Sequence, residues 1–183
     1  MLIDAKRMLG GLLLLGAAAL TSGCQNSTAK ADLEKFRAQA TLQEQNKAVV
    51  QKLIDGLNKQ DTAMYSAVYA SNAAIYIPST AAKPVTPAED IKSSQANWRA
   101  FPDLHFSIEE IVAEGDRVMA RLSATGTQKE PWNGIPSAGK KFAIGNIVSW
   151  RIENGRVVEQ REEFDALGLF TQLGMELRPG KGK

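Results

Sequence analysis

Apolar positions in the first part of the chain, from residue 44 to residue 100, follow the period of a helix. A first helix is predicted from about Glu44 to Lys59 on spacings of three and four residues between Val50, Leu53, Ile54 and Leu57. Asp61 is a predicted N-cap for a second helix. Thr86 and Glu89 form a predicted capping box around Pro87, which favours a third helix to about Ala100. A short strand, 75–77, is predicted between the last two.

From residue 105 the apolar period changes to two, which is typical of half-buried strands. Strands are predicted over 105–113, 118–125, 142–152 and 157–164, with a type I′ hairpin turn at Asn154-Gly155. A short helix over 166–174 follows. This order predicts an α+β fold, in which three N-terminal helices and a short C-terminal helix cover one face of a curved antiparallel or mixed sheet. We expect such a sheet to enclose a cone that holds one small ligand.

The N-terminus has the features of an export signal. The basic residues Lys6 and Arg7 precede the apolar stretch Met8–Leu20, which is too short to cross a hydrocarbon core of ~30 Å and is typical of a signal peptide. Small residues then lead to Cys24, which resembles the bacterial lipoprotein signal, where cleavage leaves a lipidated N-terminal cysteine. We expect the protein to be lipid-anchored in the bacterial cell envelope, on the periplasmic or extracellular face. The alternative is an ordinary secretory signal followed by a free or buried cysteine.

The predicted organisation is therefore a signal peptide over 1–23, a flexible tether over 24–43, one domain over 44–178 and a tail over 179–183. The polar and small residues after Cys24 suit a tether, although 32–45 also suit a helix. A length of 183 residues leaves room for one domain.

Composition excludes several classes of function. The 22 basic and 20 acidic residues give a net charge of +2 without a basic block, so no nucleic-acid partner is expected. One cysteine and one histidine are too few for the usual zinc sites, and we expect no metal. Carboxylates, arginines and aromatic residues remain to carry any chemistry.

Six short motifs occur in an order and spacing that resemble the SnoaL-like polyketide (ester) cyclases of the NTF2-like superfamily. They cover roughly Asn46 to Met175 and comprise 101–106, 114–118, 125–127, 134–140, 152–159 and 165–174. The resemblance implies an NTF2-like cone, a homodimer through the sheet and no metal or organic cofactor. It also implies an aspartate acid/base at the pocket mouth, which matches Asp165. Two family histidines are replaced, one by Gln128 and one within 149–151.

Asp165 and His105 are the predicted catalytic residues. Asp165 lies among apolar neighbours, and burial would raise the pKa of its carboxyl towards neutrality. The alternative is that Asp165 only caps the last helix. His105 matches the pocket rim of the family, although a single histidine on a strand is more often structural.

The remaining candidates are ligand-binding residues. Arg161, Glu163 and Asp165 share one face of a regular last strand. A β-bulge would replace this set with Gln160, Glu162 and Phe164. A further alternative without a functional role is that Arg161, Glu163 and Asp165 form an exposed ladder of ion pairs. Four aromatic residues are candidate ligand contacts, and plain core packing is the alternative for them: Trp98, Tyr76, Trp132 and Trp150. Trp132 is the predicted lid.

The sequence supports two main functional hypotheses. The first is cofactor-free acid/base chemistry, such as aldol cyclisation, isomerisation or hydrolysis, on a small apolar carbonyl compound. The second is a non-catalytic envelope lipoprotein that binds a small ligand or a protein partner through the cone. A third, an epoxide-hydrolase-like site, would require Arg161, Glu163 and Asp165 to act together on one water.

Overall fold

A computed structural model describes the backbone of residues 20–176 and 178, and the side chains of that range from residue 27 onwards. The predicted tail over 179–183 and residues 1–19 of the predicted signal peptide lie outside the described residues. The side chain of Cys24 lies outside them as well. The elements are, in chain order, α1 Leu20–Asn58, α2 Thr62–Val68, β1 Tyr69–Tyr76, α3 Pro87–Ala100, β2 His105–Glu114, β3 Arg117–Thr127, β4 Lys141–Glu153, β5 Arg156–Phe164 and α4 Ala166–Gln172.

The first helix is longer than its apolar pattern predicted. It begins at Leu20 instead of near Glu44, so the range 24–43 is helical and the prediction of a flexible tether is corrected. The physical reason is composition: 29–45 are rich in alanine, glutamine, glutamate and lysine, which all favour helix. The contacts divide the chain after Ala40 into two compact units. None of the described helices is both long and apolar enough to cross a membrane.

Local sequence signals explain where the later elements begin and end. The Asp61 carboxylate accepts hydrogen bonds from the backbone N–H groups of Ala63 and Met64, so this residue caps α2 as predicted. Thr86 and Glu89 form the predicted reciprocal capping box at the start of α3. Asn154 and Gly155 both have positive φ, at 51° and 72°, which the tight turn between β4 and β5 requires.

The five strands form one mixed sheet in the order β1-β5-β4-β3-β2. Strands β2 to β5 are the predicted antiparallel meander, and β1 pairs with β5 in parallel. The predicted α+β class and curved mixed sheet are confirmed.

A β-bulge in β5 decides which of its side chains point inward. Arg151 pairs with Glu159, whereas the next residue, Ile152, pairs with Val157, so Val158 is the extra residue on β5. Val157 is fully buried, and a regular strand would therefore also direct residues 159, 161 and 163 inward. Because of the bulge, the inward positions after it are 160, 162 and 164.

Two buried apolar clusters form the core of the unit that begins at Thr41. The larger one packs α1 and α2 against the sheet and includes Leu53, Tyr65 and Trp150. The second packs the end of α3 and α4 against the sheet and includes Phe101 and Leu169. Side chains of both clusters line a cavity instead of closing completely on each other.

Candidate active site

The cavity inside the cone has a volume of about 470 Å³, which is sufficient for a small organic molecule. Its walls come from the four helices and the inner face of the sheet, and most of the lining side chains are apolar or aromatic. Seven of the lining residues are joined by hydrogen bonds into one group, defined here as the polar cluster: Tyr65, Tyr69, Asp90, Asn146, Trp150, Gln160 and Glu162.

Gln160 is the centre of the polar cluster. Its Oε1 accepts hydrogen bonds from the Tyr69 hydroxyl at 2.5 Å and from Trp150 Nε1 at 2.9 Å. These two donors fix the orientation of the amide, so that Nε2 donates to Glu162 Oε2 at 3.2 Å. Asn146 Nδ2 donates to the other carboxyl oxygen, Glu162 Oε1, at 2.8 Å. The Glu162 carboxyl is therefore held by two amides inside the cavity.

Burial raises the pKa of Glu162 from 4.5 to about 7. Desolvation of the carboxylate is the main cause, and the negative charges of Asp90 and Glu163 raise the pKa further. The hydrogen bonds from Asn146 and Gln160 act in the opposite direction because they stabilise the charged form. A carboxyl group with this pKa exchanges protons near neutral pH, which is what general acid/base catalysis requires.

A second carboxyl group, Asp90, closes the other end of the polar cluster. It lies in α3, is buried, and accepts a hydrogen bond from the Tyr65 hydroxyl. Burial raises its pKa, although the Tyr65 hydrogen bond lowers it in part. The Tyr65 and Tyr69 oxygens are 3.2 Å apart. Asp90 is therefore connected to Gln160 through the two tyrosine hydroxyls.

The two predicted catalytic residues do not line this cavity. Asp165 is exposed, and its Oδ1 accepts a hydrogen bond from the backbone N–H of Gly168 at 2.7 Å. It is the N-cap of α4, as the alternative interpretation predicted, and the prediction that its carboxyl belongs to the pocket is corrected because it is absent from the cavity lining. His105 is exposed at the start of β2 and is also absent from the lining.

The predicted ligand-binding residues divide into two groups. Trp132 and Trp150 line the cavity. Trp98 is buried outside the lining, and Tyr76 instead packs against Arg161, whose guanidinium carbon is 4.1 Å from the ring centre. These two placements are therefore corrected.

Arg161 and Glu163 are directed away from the cavity because of the bulge in β5. Arg161 donates hydrogen bonds to Glu159 and to the backbone oxygen of Ser79. Glu163 accepts hydrogen bonds from the Ser79 hydroxyl and backbone N–H. The predicted inward set of Arg161, Glu163 and Asp165 is wrong, and with it the geometry required by the epoxide-hydrolase-like hypothesis. The bulged alternative, with Gln160, Glu162 and Phe164, is the one observed.

Trp132 is anchored in the long loop between β3 and β4. Its Nε1 donates a hydrogen bond to Asn97 Oδ1 at 2.9 Å, and its ring contacts Phe101 and Phe170. Trp132 thus forms part of the cavity wall, and its side chain is packed in place. Among the described residues, no group of three or more histidine, cysteine or acidic side chains is arranged to hold a metal ion.

The comparisons with known proteins identify the family. A model of the SnoaL-like polyketide cyclase family matches residues 47–173, which is most of the chain. The chain belongs to this family. A search of curated protein sequences gave no match.

Solved structures confirm the NTF2-like cone of this SnoaL-like chain. Wild-type IdmH from Streptomyces antibioticus is 26% identical, with a TM-score of 0.64 over 71% of this chain and 99% of that chain. TsrD from Streptomyces laurentii is also 26% identical, with a TM-score of 0.63 over 72% and 96%. A SnoaL-like polyketide cyclase from Agrobacterium tumefaciens is 20% identical, with a TM-score of 0.60 over 70% and 98%, which shows the fold alone.

Sequence reasoning did not assemble the polar cluster of this SnoaL-like chain. It offered Gln160 and Glu162 only as the bulged alternative and Trp150 as a ligand contact, and it did not single out Asp90 or Asn146. The position of Glu162 depended on the bulge, and the adjacent apolar pair Val157-Val158 was its only visible signal. Tyr65 lies in α2, and Tyr69, four residues later, is the first residue of β1. This spacing is equally typical of two aromatic residues that only pack in the core. Asp90 follows the capping box in the first turn of α3, where an acidic residue is also explained by the helix dipole.

Proposed function

We propose that this SnoaL-like domain is a cyclase-type enzyme that performs acid/base chemistry, without a cofactor, on a small, mainly apolar carbonyl compound. The observation that carries this proposal is the Glu162 carboxyl, which is held inside an apolar cavity with its pKa raised to about 7. Membership of the SnoaL-like polyketide cyclase family supports the reaction class.

In the proposed reaction, an intramolecular aldol closure, the Glu162 carboxylate removes a proton from the carbon beside a carbonyl group. The resulting enolate carbon attacks a second carbonyl carbon of the same molecule, and a carbon–carbon bond forms. Protonated Glu162 then returns its proton to the new alkoxide, which becomes a hydroxyl group. The reaction is balanced, because one proton moves from carbon to oxygen and the enzyme is restored. Ser94, which also lines the cavity, offers a hydroxyl donor to the developing oxyanion.

Asp90 has a supporting role in this proposal. Its charge raises the pKa of Glu162 across the cavity, and its hydrogen bond to Tyr65 anchors the chain that orients Gln160. We therefore assign Glu162 the proton transfer and Asp90 a positioning and electrostatic function. Asp165 and His105, the residues predicted from the sequence, have no role in the chemistry of this proposal.

The proposal is tested with 2-(3-oxobutyl)cyclohexanone, a diketone that closes to a bicyclic ketol by an intramolecular aldol reaction. Product is measured by gas chromatography with mass detection. We expect Glu162→Gln to reduce the rate at least about a hundredfold, which is the usual contribution of a positioned acid/base. Glu163→Gln, the neighbouring exposed carboxylate on the same strand, is the matched control and should keep the wild-type rate. Equal rates for the wild type and Glu162→Gln would contradict the assignment.

The diketone assay also separates this function from the alternative of ligand binding without turnover. If the wild type does not convert the diketone, mass spectrometry of small molecules that co-purify with the protein would identify the compound bound in the cavity. If neither the wild type nor Glu163→Gln converts the co-purified carbonyl compound to a product, the alternative of a non-catalytic binding protein would be supported.

Two further parts of the proposal concern where the protein is and how it assembles. The mature chain is attached to a membrane of the cell envelope through lipidated Cys24, which is supported by the small residues before it. It forms a homodimer through the outer face of the sheet. The exposed side chains Val112, Met119 and Ile147 support this, since Val112 and Met119 are cross-strand neighbours.

A further inference from the structure

One buried side-chain atom of the cavity has no hydrogen-bond partner among the described residues. Asn146 lies on β4, lines the cavity, and is only 5% exposed. Its Nδ2 donates to Glu162 Oε1, but its Oδ1 is buried and accepts no hydrogen bond from the part of the chain that the structure describes. Gln160, the other amide of the polar cluster, differs because both its oxygen and its nitrogen have partners.

While Glu162 is ionised, the unpaired oxygen cannot be satisfied by turning the amide over. The carboxylate, which is the state in which the proposed reaction begins, accepts hydrogen bonds and cannot donate one, so the amide nitrogen of Asn146 has to face it. A buried carbonyl oxygen without a donor is costly, and such atoms are rare in folded proteins. The neighbouring inward residues on the same strand, Ile144 and Val148, are apolar and offer no donor. The missing donor therefore belongs to whatever fills the cavity.

We propose that Asn146 is a specificity-determining residue, whose Oδ1 accepts a hydrogen bond from a hydroxyl group of the bound compound. The ligand class is then a hydroxylated, ring-sized organic compound and not a fully apolar one or an ether. A neutral hydroxyl suits this position better than an ammonium group, because a cation would lose far more hydration in a mostly apolar cavity. This inference rests on the proposed use of the cavity as the substrate site.

The hydroxyl would lie beside the carboxyl that the proposed reaction uses. Asn146 joins the two, since Nδ2 holds Glu162 while Oδ1 holds the ligand. A compound bound in this way is oriented with its hydroxylated end at the polar cluster. Its apolar remainder then contacts the aromatic wall that includes Phe101, Trp132 and Phe142.

The test measures the affinities of 2-naphthol and 2-methylnaphthalene, which have the same ring system and differ in the hydrogen-bond donor. Dissociation constants are measured by equilibrium dialysis for the wild type, Asn146→Leu and Asn97→Leu. Asn97 is the matched control, because it also lines the cavity but its Oδ1 already accepts a hydrogen bond from Trp132. The ratio of the two constants cancels any general effect of a variant on the cavity.

We expect Asn146→Leu to reduce the preference for 2-naphthol about tenfold relative to the wild type, whereas Asn97→Leu changes it less than about twofold. An unchanged preference in Asn146→Leu would overturn the inference but leave the proposed function intact. Failure of both compounds to bind the wild type would overturn the inference together with the ligand cavity.

A second measurement needs no variant and covers the case in which Asn146→Leu does not fold. The wild type should bind 2-naphthol more tightly than 2-methoxynaphthalene, whose oxygen has no proton to donate. The ether has the greater apolar surface, and it would bind more tightly if only apolar contacts decided the affinity. Tighter binding of the ether than of 2-naphthol would therefore overturn the inference.

Discussion

Replacing Glu162 with glutamine should change how the stability of the protein depends on pH. The pKa of this carboxyl is raised from 4.5 to about 7, mainly by burial. At ~1.4 kcal/mol per pH unit, this difference amounts to about 3 kcal/mol. Because the folded state holds the proton more tightly than the unfolded state, protonation stabilises the fold. The stabilisation is fully present below pH 4.5 and is lost as the pH rises to about 7.

The assay is urea unfolding at intervals between pH 4 and pH 8, followed by tryptophan fluorescence, for the wild type and Glu162→Gln. The difference in unfolding free energy between the two proteins should change by about 3 kcal/mol across this range, in favour of the variant at high pH. Other titrating groups, including Asp90, contribute to both proteins and cancel to first order in the difference. Glu163→Gln is the control and should keep the pH dependence of the wild type, because the charge of Glu163 is the smallest of the causes that raise the Glu162 pKa.

A difference that stays constant between pH 4 and pH 8 would refute the reasoning. It would mean that Glu162 ionises in the folded state as easily as in the unfolded chain. The carboxyl would then be an ordinary solvated group, and the proposed acid/base assignment would lose its physical basis.

Three further predictions concern the other parts of the proposal. Asp165→Ala should lower the unfolding free energy by about 1 kcal/mol, because α4 loses its N-cap. Asparagine is also a good N-cap, so Asp165→Asn should leave both the unfolding free energy and the turnover of the diketone nearly unchanged. Loss of turnover in Asp165→Asn would instead favour the acid/base function predicted from the sequence. Cys24→Ser should move the protein from the membrane to the soluble fraction of fractionated cells, and unchanged membrane retention would contradict lipidation. Met119→Glu should convert the dimer to a monomer in light scattering, with exposed Met175→Glu as control, and a monomeric wild type would contradict the sheet interface.

Much of the fold could be predicted because its signals are local. The Thr86 and Glu89 capping box, the Asp61 cap and the Asn154-Gly155 turn each act within four residues of chain, and all three form as expected. The start of α1 could not be predicted in this way. Its first half has no apolar stripe to bury, and helix-favouring residues such as alanine and glutamine also occur in flexible linkers.

The candidate site was harder to predict because it depends on tertiary register. Glu162 and Glu163 are adjacent and chemically equivalent in the sequence, yet one lines the cavity and the other contacts Ser79 on the outside. Asp165 illustrates the opposite error. Its apolar neighbours suggested burial, but the side chain satisfies the first turn of α4 and stays exposed. The competing explanation as a helix cap was the correct one for its position.

The extra residue Val158 has a consequence for how this scaffold acquires new chemistry. Straightening the strand at that point without changing its length, so that Val158 pairs with Arg151, would turn the rest of β5 over and exchange Gln160 and Glu162 for Arg161 and Glu163 on the concave side. A polar amide and an acid would be replaced by a guanidinium and an acid, while the hydrogen-bond ladder of the strand survived. Substitutions that abolish the bulge without changing the length of the strand are thus a short evolutionary route from proton transfer to anion recognition within one unchanged architecture.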